Sequence, residues 1–214
     1  MLYYLPGCDT NKNHPEAGKK MQDYMHAKGA AIAPCCKFDL SSIEQGAMLV
    51  QNCTQCDIVL RERRPDLTVI SLYEFVLGDQ DFSWADLGGR RVTVQDCYRT
   101  RNDALLQHSV RECLRRANVR FTEAPENHKE TTYCGVWLNN PADPVVAAAA
   151  PKTFAKLAEV REVLSSEEQK ARMEEKVRSI ETEEIAVYCN GCEKGIRLGG
   201  GKPLHLIEVL AAGL

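Results

Sequence analysis

The chain has 214 residues, 44% of them hydrophobic, and a net charge of -3 from 27 basic and 30 acidic side chains spread along its length. That length carries one large domain or two of roughly 100 residues, each with a real core. No basic stripe exists to neutralise a phosphate backbone, which excludes nucleic acid as an expected partner. The start, Met1 to Gly7, has no basic segment leading into a long apolar run, and no stretch approaches the roughly 18 apolar residues of a membrane span. The expectation is a cytoplasmic protein without a membrane span, in which ten cysteines serve as ligands or redox thiols rather than as a disulfide framework.

In chain order, Leu2 to Leu5 reads as a short strand ending shortly before Cys8, and a helical stretch follows, flanked by His14 and His26. Their nearness in sequence to Cys8 makes these histidines candidate donors to a departing thiolate. A vicinal pair comes next, Cys35-Cys36-Lys37, then an apolar run from Ala47 that leads into Cys53-Thr54-Gln55-Cys56 and on to the segment Val69 to Leu77. Gly78 to Gly89 punctuates the chain.

Arg91 to Gln95 is a second strand-like run before a single cysteine, Cys97, with Arg99 and Arg101 just after it. There the two arginines attract an anionic substrate or offset cluster charge, unless they simply begin a solvated helix. Leu106, Val110, Cys113, Leu114 and Ala117 recur at helical spacing and share one apolar face. Cys113 is therefore read as a small core hydrophobe. Residues 151–182 are rich in Ala, Lys, Glu and Arg, and Ser165-Ser166-Glu167-Glu168 has the pattern of a capping box. Leu157, Val160 and Leu164 form a stripe before it, and Met173, Val177 and Ile180 form one after it, so two helices packed on the second half are expected. Glu184 to Tyr188 leads into Cys189-Asn190-Gly191-Cys192, and Leu204 to Leu210 follows. Gly199-Gly200-Gly201 precedes Lys202-Pro203 and reads as a turn rather than a phosphate loop, which leaves nicotinamide and flavin sites unsupported. His108 and His205 are assigned to surface or core.

The segments around Cys8 and Cys97, and those around Cys53 and Cys189, echo each other as an internal repeat. The fold class expected is α/β: two pseudo-repeated small α/β units with largely parallel sheets and a helical insertion in the second. The units span residues 1–80 and 91–214, joined by a linker at 81–90, with the insertion at about 151–182.

The cysteines fall into two sets, Cys8, Cys35, Cys36, Cys53 and Cys56, then Cys97, Cys134, Cys189 and Cys192. Converging thiolates repel one another unless a cation neutralises them, and as soft ligands they suit zinc or iron–sulfur clusters. Each C-x-x-C turn brings two sulfurs to one centre, and a helix beginning just after it sets a positive dipole end beside them. One such turn would serve a thioredoxin-type site equally well, whereas two with matching upstream cysteines point to bound metal.

Cys8, Cys35-Cys36 and Cys53-Thr54-Gln55-Cys56, followed by Val94-Gln95-Asp96-Cys97, Tyr133-Cys134-Gly135 and Tyr188-Cys189-Asn190-Gly191-Cys192, resemble the CCG cysteine-rich domain family over nearly the whole chain. That family includes the B subunit of heterodisulfide reductase, the C subunit of anaerobic glycerol-3-phosphate dehydrogenase and a lactate-utilisation protein. The resemblance implies an oxidoreductase acting on sulfur groups in anaerobic metabolism. It implies a non-cubane 4Fe-4S cluster on Cys8, Cys35, Cys36, Cys53 and Cys56, where a small disulfide substrate is cleaved, and a second 4Fe-4S cluster or a zinc ion on Cys97, Cys134, Cys189 and Cys192. It also implies a redox partner subunit with ferredoxin or flavin domains. The sequence departs from the family pattern at Lys37, where glycine is usual, and at Tyr133, where the first cysteine of a pair is usual. Three readings stand: a disulfide-reducing enzyme, an electron-transfer subunit of a larger complex, and a zinc-binding structural or interaction protein.

Overall fold

Leu2–Leu5 (β1), Ala31–Ile32 (β2), Met48–Gln51 (β3) and Thr68–Ser71 (β4) form one sheet in the order β2-β1-β3-β4, with every neighbouring pair parallel. Arg91–Val94 (β5), Arg120–Glu123 (β6), Glu184–Val187 (β7) and Lys202–His205 (β8) form a second all-parallel sheet in the order β6-β5-β7-β8. The computed structural model behind this description covers residues 1–131 and 137–214, so Cys134 lies outside the described residues. The α/β class with two repeated parallel units is as the sequence led us to expect.

Parallel strands need crossovers, and helices supply them. In the first unit these are Cys8–Asn13 (α1), Pro15–Ala27 (α2), Thr54–Arg63 (α3) and Leu72–Gly78 (α4). The second contains Ala104–Arg116 (α5), Pro144–Ala149 (α6), Pro151–Ala158 (α7), Ser166–Arg178 (α8), Asn190–Leu198 (α9) and Leu206–Ala211 (α10). The inner strands β1, β3, β5 and β7 are short and nearly fully buried, as strands covered on both faces must be. None of the helices is long and apolar enough to cross a membrane among the described residues.

One continuous core joins the sheets. Met21 and Met25 of α2 are buried in the same cluster as Leu206, Ile207 and Leu210 of α10. The repeat inverts this pairing: α2 packs on α10, and α5 packs on α4. The connector is anchored by Phe82, whose ring meets Tyr24 edge-on at 5.1 Å and Trp84 at 4.8 Å.

The insertion differs from expectation. Residues 151–182 hold the two helices expected, α7 and α8, but only α8 packs on the second unit, against α9, whereas α7, with α6 just before it, lies on α3 of the first. Val146, Ala150 and Phe154 enter the first unit's own core, while Val160 is 48% exposed. The cause is that α7 ends at Ala158, so Leu157, Val160 and Leu164 never share one helical face. Downstream the expectation holds: Ser165 and Glu168 cap α8 reciprocally, and Met173 is buried with Val177 and Ile180 packed on the same core.

Candidate metal centres

In each sheet the chain leaves one central strand toward one edge and the other central strand toward the opposite edge. The crevice at the carboxyl ends of those two strands is therefore a topological switch point, where ligands of open α/β sheets bind. Cys8 follows β1 and Cys53 follows β3; Cys97 follows β5 and Cys189 follows β7. Cys53 and Cys189 are the extended residues just before α3 and α9, which sets Cys56 and Cys192 in the first turn of each helix, at its positive end. Gly7 has φ +78°, and a Cβ there would stand 3.0 Å from Asn52 Oδ1 and 3.2 Å from Cys53 Cβ. Only glycine lets the turn before Cys8 approach the C-x-x-C turn so closely.

The second set is a knot. The sulfurs of Cys97, Cys189 and Cys192 all lie within 4.8 Å of one another, and all three residues are buried. Asp96, fully buried, holds the turn in place: it accepts bonds from Arg111 at 3.1 and 2.8 Å and from the Tyr188 hydroxyl at 2.8 Å. The Tyr188 oxygen in turn accepts the Cys97 N–H at 3.3 Å. Sequence reasoning missed Asp96 and Arg111; the available signal was an arginine inside the apolar face between Val110 and Cys113.

The first set is a string. Cys36 Sγ lies 3.4 Å from Cys56 Sγ, Cys36 also bonds to Cys35, and Cys56 bonds to Cys53. Cys8 is the exposed member, in the electrostatic field of Cys35 and Cys53. The hydrogen bonds that link these thiols lower the pKa of Cys36 and Cys53 and push that of Cys56 up, with burial adding to the rise. Arg63 fixes the vicinal pair by donating to the carbonyls of Cys36 and Phe38, and Lys37 pairs with Asp143 of the insertion at 2.7 Å.

A cavity of ≈ 280 Å³ opens on this string, lined by Cys8, Cys36, Cys53 and Cys56 together with Cys189 and Arg99 of the second unit. Arg99 bridges the two sets, with Nη1 3.6 Å from Cys189 Sγ and Nη2 donating to Gln55 Oε1 at 3.1 Å. Its charge works with the Cys56 hydrogen bond that lowers the pKa of Cys53, and only partly offsets the Cys97 hydrogen bond and the burial that push Cys189 up. Arg101 instead lies over the Tyr98 ring. The Tyr73 hydroxyl is buried without a hydrogen-bond partner among the described residues, in the field of Cys53 and Cys189. Converging thiols and an orphaned hydroxyl beside them fit a metal–sulfur centre, whose sulfurs would accept that O–H.

The remaining candidates divide. Cys113 is fully buried in the core, as expected. His26 and His108 are exposed on their helices. His14, expected beside Cys8, is held by Glu193 at 2.9 Å and Glu208 at 3.1 Å, and its ring centroid lies 4.7 Å from that of fully buried His205. No protein-family model, curated protein or solved structure matches the chain.

Proposed function

We propose that this is an iron–sulfur redox protein resembling the CCG domains of the heterodisulfide reductase B subunit. Cys8, Cys35, Cys36, Cys53 and Cys56 would hold a four-iron cluster facing a disulfide-type substrate, and Cys97, Cys134, Cys189 and Cys192 an enclosed second cluster or a zinc ion. One observation carries the reading: the ≈ 280 Å³ cavity is lined by Cys8, Cys36, Cys53 and Cys56 of the first set but, among the described cysteines of the second, by Cys189 alone, and those of the second are buried. Five thiols from three segments of the first unit exceed the four donors of a closed zinc site and suit several metal atoms better than one. When bound, the cluster supplies one-electron steps and an iron position for a substrate sulfur. The protein's own groups supply the rest. Arg99 offsets negative charge between the sets, the Tyr73 hydroxyl donates toward sulfur, and burial of Cys56 and Cys189 excludes water. No ferredoxin-type run of cysteines occurs in the sequence, so electrons would come from an external donor; the resemblance implies a partner subunit with ferredoxin or flavin domains. A pure electron-transfer subunit, or a zinc-binding interaction protein, is the alternative.

The test is iron, acid-labile sulfide and zinc content of protein purified without oxygen, for wild type, Cys36→Ala and Cys134→Ala. Roughly four irons per chain that disappear with Cys36→Ala are expected, followed by turnover of a small disulfide with a reduced donor. Zinc that disappears with Cys36→Ala in protein free of sulfide overturns the redox reading.

A further inference from the structure

We propose that His14, Glu193 and His205, backed by Glu208, form a separate buried site for a divalent zinc-type cation at the seam between the two units. It is independent of the cysteine centres and stands whether or not they carry iron.

The internal repeat supplies the control. Asp103 precedes α5 and caps it by accepting from Leu106 N–H at 3.0 Å; the residue in the matching place before α2 is His14, which makes no side-chain cap. Ser71 precedes α4 and forms a reciprocal capping box with Glu74; the matching residue before α10 is His205. After the second cysteine of each C-x-x-C comes an acid, Asp57 or Glu193, with an arginine one turn on, Arg61 or Arg197. The first version, Asp57, Ser71, Glu74 and Asp103, is ordinary capping and ion pairing. The second places two histidines where serine and aspartate serve helix ends best: His14 makes no side-chain cap, and His205 caps α10 through Nδ1 alone, so capping leaves the His14 ring and His205 Nε2 without an account.

The geometry is that of a ligand shell with its outer partners in place. One donor atom from each of His14, Glu193 and His205 lies within 4.8 Å of the others, and the residues are only 5%, 3% and 0% exposed. His14 Nε2 faces Glu193 Oε2 at 2.9 Å while its Nδ1 meets Glu208 Oε1 at 3.1 Å. Carboxylates back metal-bound histidines in this way and fix their tautomer. The other Glu193 oxygen is held by Arg197 at 2.8 Å. His205 Nε2 is buried with no hydrogen-bond partner among the described residues. Two imidazoles and a carboxylate are the nitrogen and oxygen donors that zinc takes in three-ligand sites.

Charge supports the same assignment: the carboxylates of Glu193 and Glu208 face the two ring nitrogens of His14 at 2.9 and 3.1 Å, an arrangement that favours a cation. Loading gives up the 3.3 Å contact from Ile207 N–H to His205 Nδ1, because a ring ligating through Nε2 carries its proton on Nδ1. The other mixed grouping, Asp96, Glu123 and His128, already holds the Arg111 guanidinium and is no such site. An ion at His14 would fasten the start of α2 to α9 and α10 across the seam.

The experiment is zinc content of the full-length protein after equilibration with zinc and dialysis, with iron and sulfide measured on the same samples, for wild type, His205→Gln, Glu208→Gln and Cys189→Ser. About one zinc per chain that survives Cys189→Ser and is lost in His205→Gln is expected. Cobalt in its place should give visible d–d bands without thiolate charge-transfer absorption. Glu208→Gln should weaken zinc binding about 10- to 100-fold. Equal zinc in wild type and a folded His205→Gln protein overturns the site, as does zinc that leaves with Cys189→Ser. Should His205→Gln fail to fold, Glu208→Gln decides: this side chain is 47% exposed, and an unchanged zinc affinity overturns the proposal.

Discussion

Asp96 immediately precedes a proposed ligand, is fully buried, and pairs with Arg111, itself 6% exposed at the side chain. Removing one partner of such a pair strands the other charge in the interior. Arg111→Met should therefore cost about 3–5 kcal/mol in urea unfolding, far more than an ordinary surface arginine. Glu184 illustrates the milder case. Arg90 and Lys202 hold its carboxyl down to about 2 from an ordinary 4.5. A depressed acid stabilises the fold above its unfolded value, and that contribution is lost as pH falls from 4.5 through about 2. Arg90 is 39% exposed, so screening limits the effect. Between about pH 6 and about pH 2 the wild type should lose about 1–2 kcal/mol more than Glu184→Gln.

At the scale of elements, the insertion is tied down by few side chains. Phe154, 7% exposed, is the largest apolar group that α7 gives to the first unit's core, and it also lines the cysteine cavity. Phe154→Ala should destabilise by about 3–5 kcal/mol and should speed amide exchange in α7 before it does so in the strands. The capping box at Ser165 is exposed and local. Ser165→Ala should cost about 1 kcal/mol and fray α8 without reaching the sulfurs. These contrasts follow from where each helix buries area, since α8 rests on α9 and α7 on α3.

For the whole molecule, the shared core decides cooperativity. Met21 is fully buried in a cluster that also holds Val92, Ile185 and Leu206 of the second unit, so the two sheets lose their packing together. Met21→Ala should lower a single unfolding transition by about 2–5 kcal/mol, rather than one of two steps. The same seam brings Cys53 within electrostatic reach of Cys189, sets Arg99 between the cysteine sets, and carries the histidine site on its other helices.

The α/β class, the repeat and the cysteine sets were legible in the sequence because each rests on local signals: apolar runs of strand length, C-x-x-C spacing and helical periodicity. Strand order was not, since β2 and β6 are short and carry little pattern of their own. Only the tertiary structure placed α6 and α7 on the first unit, where Phe154 found apolar partners that its own sequence neighbours do not supply. It alone turned His14 away from Cys8 and toward Glu193, and brought Arg111 to Asp96. Those contacts join residues 15 to 179 positions apart, and such pairings are set by how the two sheets meet, which no local propensity encodes.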